Sequence, residues 1–189
     1  MALEDREKIY RSTAKHNRKY LKKLTEYVQD LVSRGRLLEA RYFFLDLSQI
    51  SPSHPKTIRL GYAIAIATFD NDWVLKYDKL LVDSGGAVNE VNCYRLQYYH
   101  SRNNLASCED TCCALLESKL SLDQLSTVIE VCRLRKSYVV ACSLASYLVE
   151  NKLKLKPDHD KWLRQIVITK LANCIGRSYG KLPGSKNIR

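Results

Sequence analysis

The 189-residue sequence has few of the residues that interrupt helices, with only seven Gly and four Pro. It also lacks any apolar run of about eighteen residues, the length that a membrane-crossing helix needs. Its first twenty residues include acidic side chains and no continuous apolar stretch, so the sequence predicts neither a secretory signal nor a transit peptide. We therefore expect a soluble, cytoplasmic protein with no transmembrane segment.

The sequence also lacks the short motifs that mark common enzyme sites. It contains no glycine-rich phosphate loop, no Gly-x-Ser-x-Gly turn and no His-Glu-x-x-His pattern. The four histidines are scattered, and a base and nucleophile pair of His100 with Cys108 or Cys112 is the alternative that the sequence leaves open. We predict that the protein is not an enzyme and that it uses no cofactor.

Cysteine is plentiful, but its number is odd. Seven thiols leave one unpaired in any full set of disulfides, which favours a reducing compartment. Cys108, Cys112 and Cys113 suggest a shared metal ion, because residues four apart on a helix lie on one face. No second pair with ligand spacing follows them, so we interpret these cysteines as small buried residues and expect no metal site.

A spacing of 34 residues recurs along the chain. Ala40, Val74 and Cys108 lie 34 residues apart, and the series returns at Ala141 or Cys142. Apolar residues recur at steps of three and four throughout, which is typical of helices rather than strands. A fixed period of this length indicates stacked helical hairpins.

The first copy of this repeat, RGRLLEARYFFLDLSQISPSHP, is the clearest. Gly35 would permit a turn between two helices, and Ala40 would let the helices approach closely. Phe44 and Leu47 continue the buried stripe. Pro52 would end the second helix, because its ring excludes helical angles at the preceding residue. This pattern of glycine, alanine, aromatic residue and closing proline resembles the tetratricopeptide repeat.

The resemblance implies an all-α fold, namely a right-handed α-solenoid of about four helical hairpins plus a C-terminal capping helix. A basic N-terminal helix or arm is expected at 1–20, attached loosely. Repeats then fill 21–156, as hairpins at 21–54, 55–88, 89–121 and 122–156. A capping helix at 157–180 should dock through residues that include Trp162 and Ile166, and 181–189 should form a flexible basic tail.

The resemblance also implies a binding surface, because the first helices of successive hairpins line a concave groove in this family. By register alone, the predicted groove residues are Lys22, Gln29, Lys56, Arg59, Ala63, Glu90, Cys93, Gln97, His100, Glu130 and Arg133. We therefore predict a non-catalytic adaptor, scaffold or chaperone that binds an extended or helical segment of another protein. A carboxylate clamp is not expected, because Gln29 and Ala63 replace asparagines that clamping members carry.

The net charge of +11 is concentrated at the two ends of the chain. Residues 1–23 hold eight Lys and Arg against three Asp and Glu, and residues 151–189 hold ten against two. Such ends keep a solenoid soluble, and they also suit an acidic surface or nucleic acid. The predicted basic-end contacts are Lys19, Lys22, Lys23, Arg164, Lys170, Arg177, Lys181 and Lys186.

An RNA-binding helical-repeat protein is the alternative function. The segment ENKLKLKPDHDKWLRQIVITKLANC resembles the junction between two pentatricopeptide repeats, where a helix begins after Pro-Asp. In that case an exposed Trp162 would stack on a base, whereas we expect this residue to be buried. The internal period of 34 rather than 35 residues argues against the RNA hypothesis. Self-association into a homo-oligomer is also left open.

Overall fold

The computed structural model describes residues 3–14, 17 and 19–179, with side chains as far as residue 169. All regular secondary structure within these residues is helical, which confirms the all-α prediction. The helices are α1 (Leu3–Ser12), α2 (Tyr20–Ser33), α3 (Leu37–Ile50), α4 (Pro55–Ala67), α5 (Asn71–Asp83), α6 (Val88–Ser101), α7 (Leu105–Leu116), α8 (Leu122–Arg135), α9 (Tyr138–Glu150) and α10 (Pro157–Tyr179). In the part of the chain with described side chains, none of them is long and apolar enough to cross a bilayer.

The chain divides into two compact units, which we call unit 1 (Met1–Ser101) and unit 2 (Arg102–Arg189). The division falls inside the third predicted hairpin, 89–121, so α6 belongs to unit 1 and α7 to unit 2. Three of the predicted hairpin ranges each match a pair of helices within one unit: α2 and α3 for 21–54, α4 and α5 for 55–88, and α8 and α9 for 122–156. α2 begins at Tyr20, one residue before the predicted start of its range. α3 ends at Ile50, two residues before Pro52, as predicted.

The residues that carry the 34-residue period occupy one structural position. Each is the fourth residue of its helix, in α3, α5, α7 and α9 respectively, and each is buried: Ala40, Val74, Cys108 and Ala141. Each also donates its backbone N–H to the carbonyl oxygen four residues earlier, at 2.9–3.1 Å. Cys142, the other candidate for the fourth copy, is only partly buried. The spacing therefore marks equivalent buried positions.

A left-handed backbone residue precedes each of these four helices by two positions. These residues have φ between 53° and 71°, and they are Gly35, Phe69, Asn103 and Lys136. The next residue is the helix N-cap, and in three of the four cases its side chain accepts a hydrogen bond from the amide three residues further on: Asp70, Asn104 and Ser137. Such caps satisfy backbone donors that the first turn of a helix leaves unpaired.

α4 is the central helix of unit 1 and packs against α2, α3, α5 and α6. Its burial on several sides explains the continuous apolar content of the helical stretch TIRLGYAIAIA, which ends at Ala67. Gly61 allows the close approach, since a Cβ atom there would lie 2.5 Å from the Tyr77 ring and 2.7 Å from the Phe44 ring. The lack of a side chain at position 61 therefore lets α4 lie close to Phe44 of α3 and Tyr77 of α5.

The expected loose attachment of the N-terminal helix is wrong, because α1 packs against α2. Tyr10 is buried, and its ring stacks on Tyr27 with centroids 5.6 Å apart. The hydroxyl of Tyr10 lies 3.2 Å from that of Tyr20 in a hydrogen bond. Apolar periodicity did not predict this docking, because Tyr10 has a polar end that an apolar pattern does not register.

Unit 2 has α7 packed on α8 and α9, and α9 packed on α10. Its core includes three cysteines together with aliphatic side chains, and the cysteines are Cys108, Cys112 and Cys132. α10 buries Leu163, whereas Trp162 and Ile166 are only half-buried. The prediction of a buried Trp162 is therefore wrong, and its neighbour Leu163 is the buried residue.

Candidate functional site

The first helices of the hairpins in unit 1 lie side by side, because α4 packs against both α2 and α6. We call the surface that they expose the first-helix face, and define it by the predicted groove residues that these helices carry: Lys22, Gln29, Lys56, Arg59, Ala63, Glu90, Cys93, Gln97 and His100. Lys22, Gln29, Lys56 and Gln97 are exposed, and the others are partly buried. Glu130 and Arg133 are exposed on α8, in unit 2.

An ion pair joins two helices of the first-helix face. The Arg59 guanidinium on α4 donates to both carboxylate oxygens of Glu90 on α6, with Nη2 3.0 Å from Oε2. The bond to Glu90 raises the pKa of Arg59 further above its ordinary value. Bidentate pairing is geometrically specific, so Arg59 holds α4 against α6 and has less charge available for a partner. Lys22 also lies near an acid, with Nζ 4.0 Å from Oε1 of Glu26.

A second polar network joins α4, α5 and α6. The Tyr62 hydroxyl donates to Asp78 Oδ1 at 2.6 Å, and Arg95 donates to the same carboxylate from Nε at 2.9 Å and Nη2 at 2.8 Å. Burial alone would raise the pKa of Asp78, but the bonds from Arg95 and Tyr62 lower it below the ordinary value. Burial raises the pKa of Tyr62, so this hydroxyl stays protonated and donates. Sequence reasoning missed the network because its members share no spacing along the chain.

Aromatic stacking joins two of these helices, α4 and α6. The rings of Tyr62 on α4 and Tyr94 on α6 are nearly parallel, at 12°, with centroids 4.7 Å apart. Such pairs contribute about 0.5–1.5 kcal/mol beyond the area that they bury. This stacking and the two ion pairs therefore connect α4, α5 and α6 through side chains.

The predicted basic ends are partly neutralised. Lys23 pairs with Glu26 at 3.3 Å, and Arg164 pairs with Asp160 at 2.7 Å. Lys19 is exposed. The remaining predicted contacts have no described side chain: Lys170 and Arg177 lie on α10 beyond residue 169, and Lys181 and Lys186 lie outside the described residues.

Two buried cysteines of unit 2, Cys108 and Cys132, are poor candidates for nucleophiles. Burial raises the pKa of Cys132 to about 12, and burial also raises the pKa of Cys108. The Cys132 thiol donates to the Ser137 carbonyl oxygen at 3.6 Å. A thiol reacts as its thiolate, so these groups are held in their unreactive form near neutral pH. Within the described residues, no group of three His, Cys, Asp or Glu side chains is arranged to hold a metal ion.

Comparison with known proteins gives no match to a family model, to a curated protein or to a solved structure.

Proposed function

We propose that the protein is a non-catalytic adaptor, scaffold or chaperone that binds a segment of another protein on the first-helix face. The observation that carries this proposal is the packing of α4 against both α2 and α6, which sets the first helices of three successive predicted hairpins side by side. In the proposed architecture, a right-handed solenoid of the tetratricopeptide type, that arrangement creates the binding groove.

The chemistry of the first-helix face suits a polar peptide. Gln29 and Gln97 expose amide groups that both donate and accept hydrogen bonds. Lys56 adds an exposed ammonium group, and Ala63 and Cys93 add small apolar surface between these polar groups. Since Arg59 is paired with Glu90, recognition depends on hydrogen bonds and shape more than on charge. The raised thiol pKa values of Cys108 and Cys132 support a role without catalysis.

RNA binding is the second candidate, and one feature of unit 2 favours it. Four lysines are exposed within a short stretch around the start of α10, namely Lys152, Lys154, Lys156 and Lys161. Such a cluster suits phosphate groups, and affinity for RNA would then fall steeply with added salt. Binding of a peptide on the first-helix face should depend much less on salt, because its charged contacts are few.

Site-specific photo-crosslinking tests the proposal directly. A photoreactive amino acid replaces Gln97, which is exposed on α6, or Leu75, which is exposed on α5 and serves as the matched control. The full chain is irradiated inside the cells that make it, and adducts are identified with and without nuclease treatment. We expect a nuclease-resistant protein adduct at position 97 that is absent at position 75. Identical adducts at both positions, or adducts to RNA alone, would contradict the proposal.

A further inference from the structure

Unit 2 carries an open groove of about 930 Å³ between α9, the segment 151–156 and α10. Leu148 and Leu163 form its buried floor. Val149, Leu153 and Ile168 form its sides and are 78%, 39% and 63% exposed. Isolated apolar residues on a surface are ordinary, but three around one apolar floor form a continuous patch. We call this feature the α9–α10 groove.

The backbone fixes one wall of this groove. Lys152 adopts a left-handed conformation, with φ of 53°, two residues after the end of α9. Its amide donates to the Val149 carbonyl oxygen at 3.1 Å, and the Leu153 amide donates to the Leu148 carbonyl oxygen at 2.9 Å. These bonds form a Schellman-type helix ending, which holds the following residue against the last turn of the helix. Leu153 is therefore part of a defined wall and not of a freely moving loop.

The rim of the α9–α10 groove is basic. Lys152, Lys154 and Arg164 line it, against a single carboxylate from Asp160. Arg164 donates to that carboxylate from Nε at 2.7 Å, so the two charges offset each other. The two lysine ammonium groups beside an apolar floor leave the rim with a positive potential. A ligand that complements this surface must present apolar groups flanked by negative charge.

We infer that the α9–α10 groove binds the apolar face of an acidic amphipathic helix from another protein. Val149 and Ile168 lie on helices, and Leu153 lies on the helix ending, so the backbone amides beside the exposed apolar residues are bonded internally and offer no free edge to an extended strand. A helix docks instead through side chains spaced at i, i+3, i+4 and i+7, with its acidic flank against Lys152 and Lys154. The high exposure of Val149 and Ile168 also favours an elongated partner over an enclosed small molecule. The inference is independent of the first-helix face, which belongs to unit 1.

A synthetic peptide tests this inference with the whole 189-residue chain. The probe is a fluorescent helical peptide of about five turns, with leucines on one face and glutamates on its flanks. One control peptide replaces the glutamates with lysines, and a second has the same composition in scrambled order. Fluorescence anisotropy should detect binding of the glutamate peptide, with affinity at least about tenfold above that of either control peptide.

Paired variants locate the binding. The double variant Val149→Gln/Ile168→Gln should weaken binding about tenfold or more, because it removes apolar contacts. The melting temperature should stay unchanged, because both side chains are exposed. The matched control is Leu75→Gln, a change at a 71% exposed residue of unit 1, and it should have no effect. Lys152→Gln/Lys154→Gln should weaken binding and reduce its dependence on salt, unlike Lys76→Gln/Lys79→Gln on α5.

Four results would overturn the inference. The first is equal binding of the lysine or scrambled peptide, and the second is no binding of the glutamate peptide. The third is binding of phosphatidylserine vesicles through Val149 and Ile168 without peptide binding, which would assign the groove to a membrane surface. The fourth is peptide binding only after deletion of residues 180–189, which would make the chain's own C-terminal segment the occupant.

Discussion

The two units join their helices with different chemistry. In unit 1, arginines reach from one helix to acids on another. Arg41 on α3 pairs with Asp70, the N-cap of α5, at 2.8 Å, and its guanidinium lies 4.3 Å from the centre of the Trp73 ring. Arg95 on α6 pairs with Asp78 on α5. Each arginine therefore combines a directional bond with contact to neighbouring side chains, which orients one helix relative to another.

In the described part of unit 2, Arg135 on α8 also reaches beyond its helix and donates to Asn103 before α7, and other contacts between helices include hydroxyls and a thiol. The Ser137 hydroxyl at the N-cap of α9 donates to Glu109 on α7 at 2.5 Å, and the Cys113 and Ser143 side chains lie 3.7 Å apart. The Tyr147 hydroxyl accepts a hydrogen bond from the Leu120 amide at 3.0 Å. Each of these contacts joins single polar atoms, whereas the arginine pairs of Arg59 and Arg95 in unit 1 are bidentate.

The comparison shows what the 34-residue period specifies and what it leaves free. Both units keep a small buried residue at the fourth position of a helix and a left-handed residue before that helix. The side chains around these positions differ in size and charge between the units. The repeat therefore constrains backbone geometry and the volume at one contact, while the rest of each interface varies.

The largest expected difference between the units comes from core truncation. Phe44→Ala in unit 1 should cost about 4 kcal/mol, because a fully buried ring that contacts Trp73 and Tyr77 is lost. Cys132→Ala in unit 2 should cost about 1 kcal/mol, since only one sulfur atom and a weak hydrogen bond are removed. Amide hydrogen exchange in α4 and in α9 would measure both changes. Equal losses would contradict the contrast between a core with large rings and one with small groups.

The next effect is loss of the Asp78 carboxylate. Asp78→Asn should destabilise unit 1 by about 2 kcal/mol at neutral pH, because the charged bonds from Arg95 are weakened. The matched change in unit 2 is Asp160→Asn, which affects an exposed pair within one helix. That change should cost less than about 0.5 kcal/mol. Hydrogen exchange in α5 and in α10 would measure the destabilisation caused by each variant. Similar values would show that the ion pairs between helices of unit 1 stabilise no more than an exposed pair within one helix.

The lowered pKa of Asp78 should make the stability of unit 1 depend on pH. The pKa of Asp78 is lower in the folded chain than its ordinary value of about 3.9. The unfolded state therefore binds the proton more readily, and acid favours unfolding. The stabilisation should be complete above the unfolded pKa and should disappear as pH falls through the lower folded pKa. Below about pH 4, the free energy of unfolding should therefore fall less steeply with pH in Asp78→Asn than in the unchanged protein. Tyrosine absorbance between neutral pH and strong acid would follow the unfolding of both.

The sequence predicted local features of the fold better than contacts between helices. The helical content and the burial of Ala40, Val74 and Cys108 follow from periodicity, which depends on neighbouring residues alone. The docking of α10 was predicted with the wrong register, because 162–167 contains two adjacent stripes, Trp162 with Ile166 and Leu163 with Val167. Both stripes have the spacing of a buried helix face, so periodicity cannot distinguish them. In the structure α10 packs against α9 and Leu163 is the buried residue.

The candidate site shows the same limit. Register placed Arg59 and Glu90 on first helices, but it did not pair them, because the pairing depends on how α4 and α6 interdigitate. The α9–α10 groove was also missed. Its basic residues were interpreted as a polar cap or an RNA contact, and the apolar floor beneath them is formed only when α10 packs on α9. Sites of this kind need the tertiary arrangement.

The left-handed turns give the smallest expected difference between the units. The sequence indicated a turn at Gly35, and Asn103 is also of a residue type that tolerates positive φ, whereas Phe69 and Lys136 are not. A Cβ atom at position 35 would have no neighbour within 4 Å, so the cost of Gly35→Ala is conformational alone. We expect this variant to destabilise unit 1 by about 1 kcal/mol.

The converse change in unit 2 should have the opposite sign. Lys136→Gly removes the strain of a left-handed lysine, about 1–2 kcal/mol, and also gives the unfolded chain more freedom, which costs about 0.4–1 kcal/mol. The net result should be a stabilisation of about 0.5 kcal/mol. Lys136→Ala serves as the control, because it removes the lysine charge but keeps the strain of a left-handed residue with a Cβ atom. The amides of α9 should be better protected from hydrogen exchange in Lys136→Gly than in the unchanged protein or in Lys136→Ala. Lower protection in the glycine variant would show that the turn at position 136 is not strained.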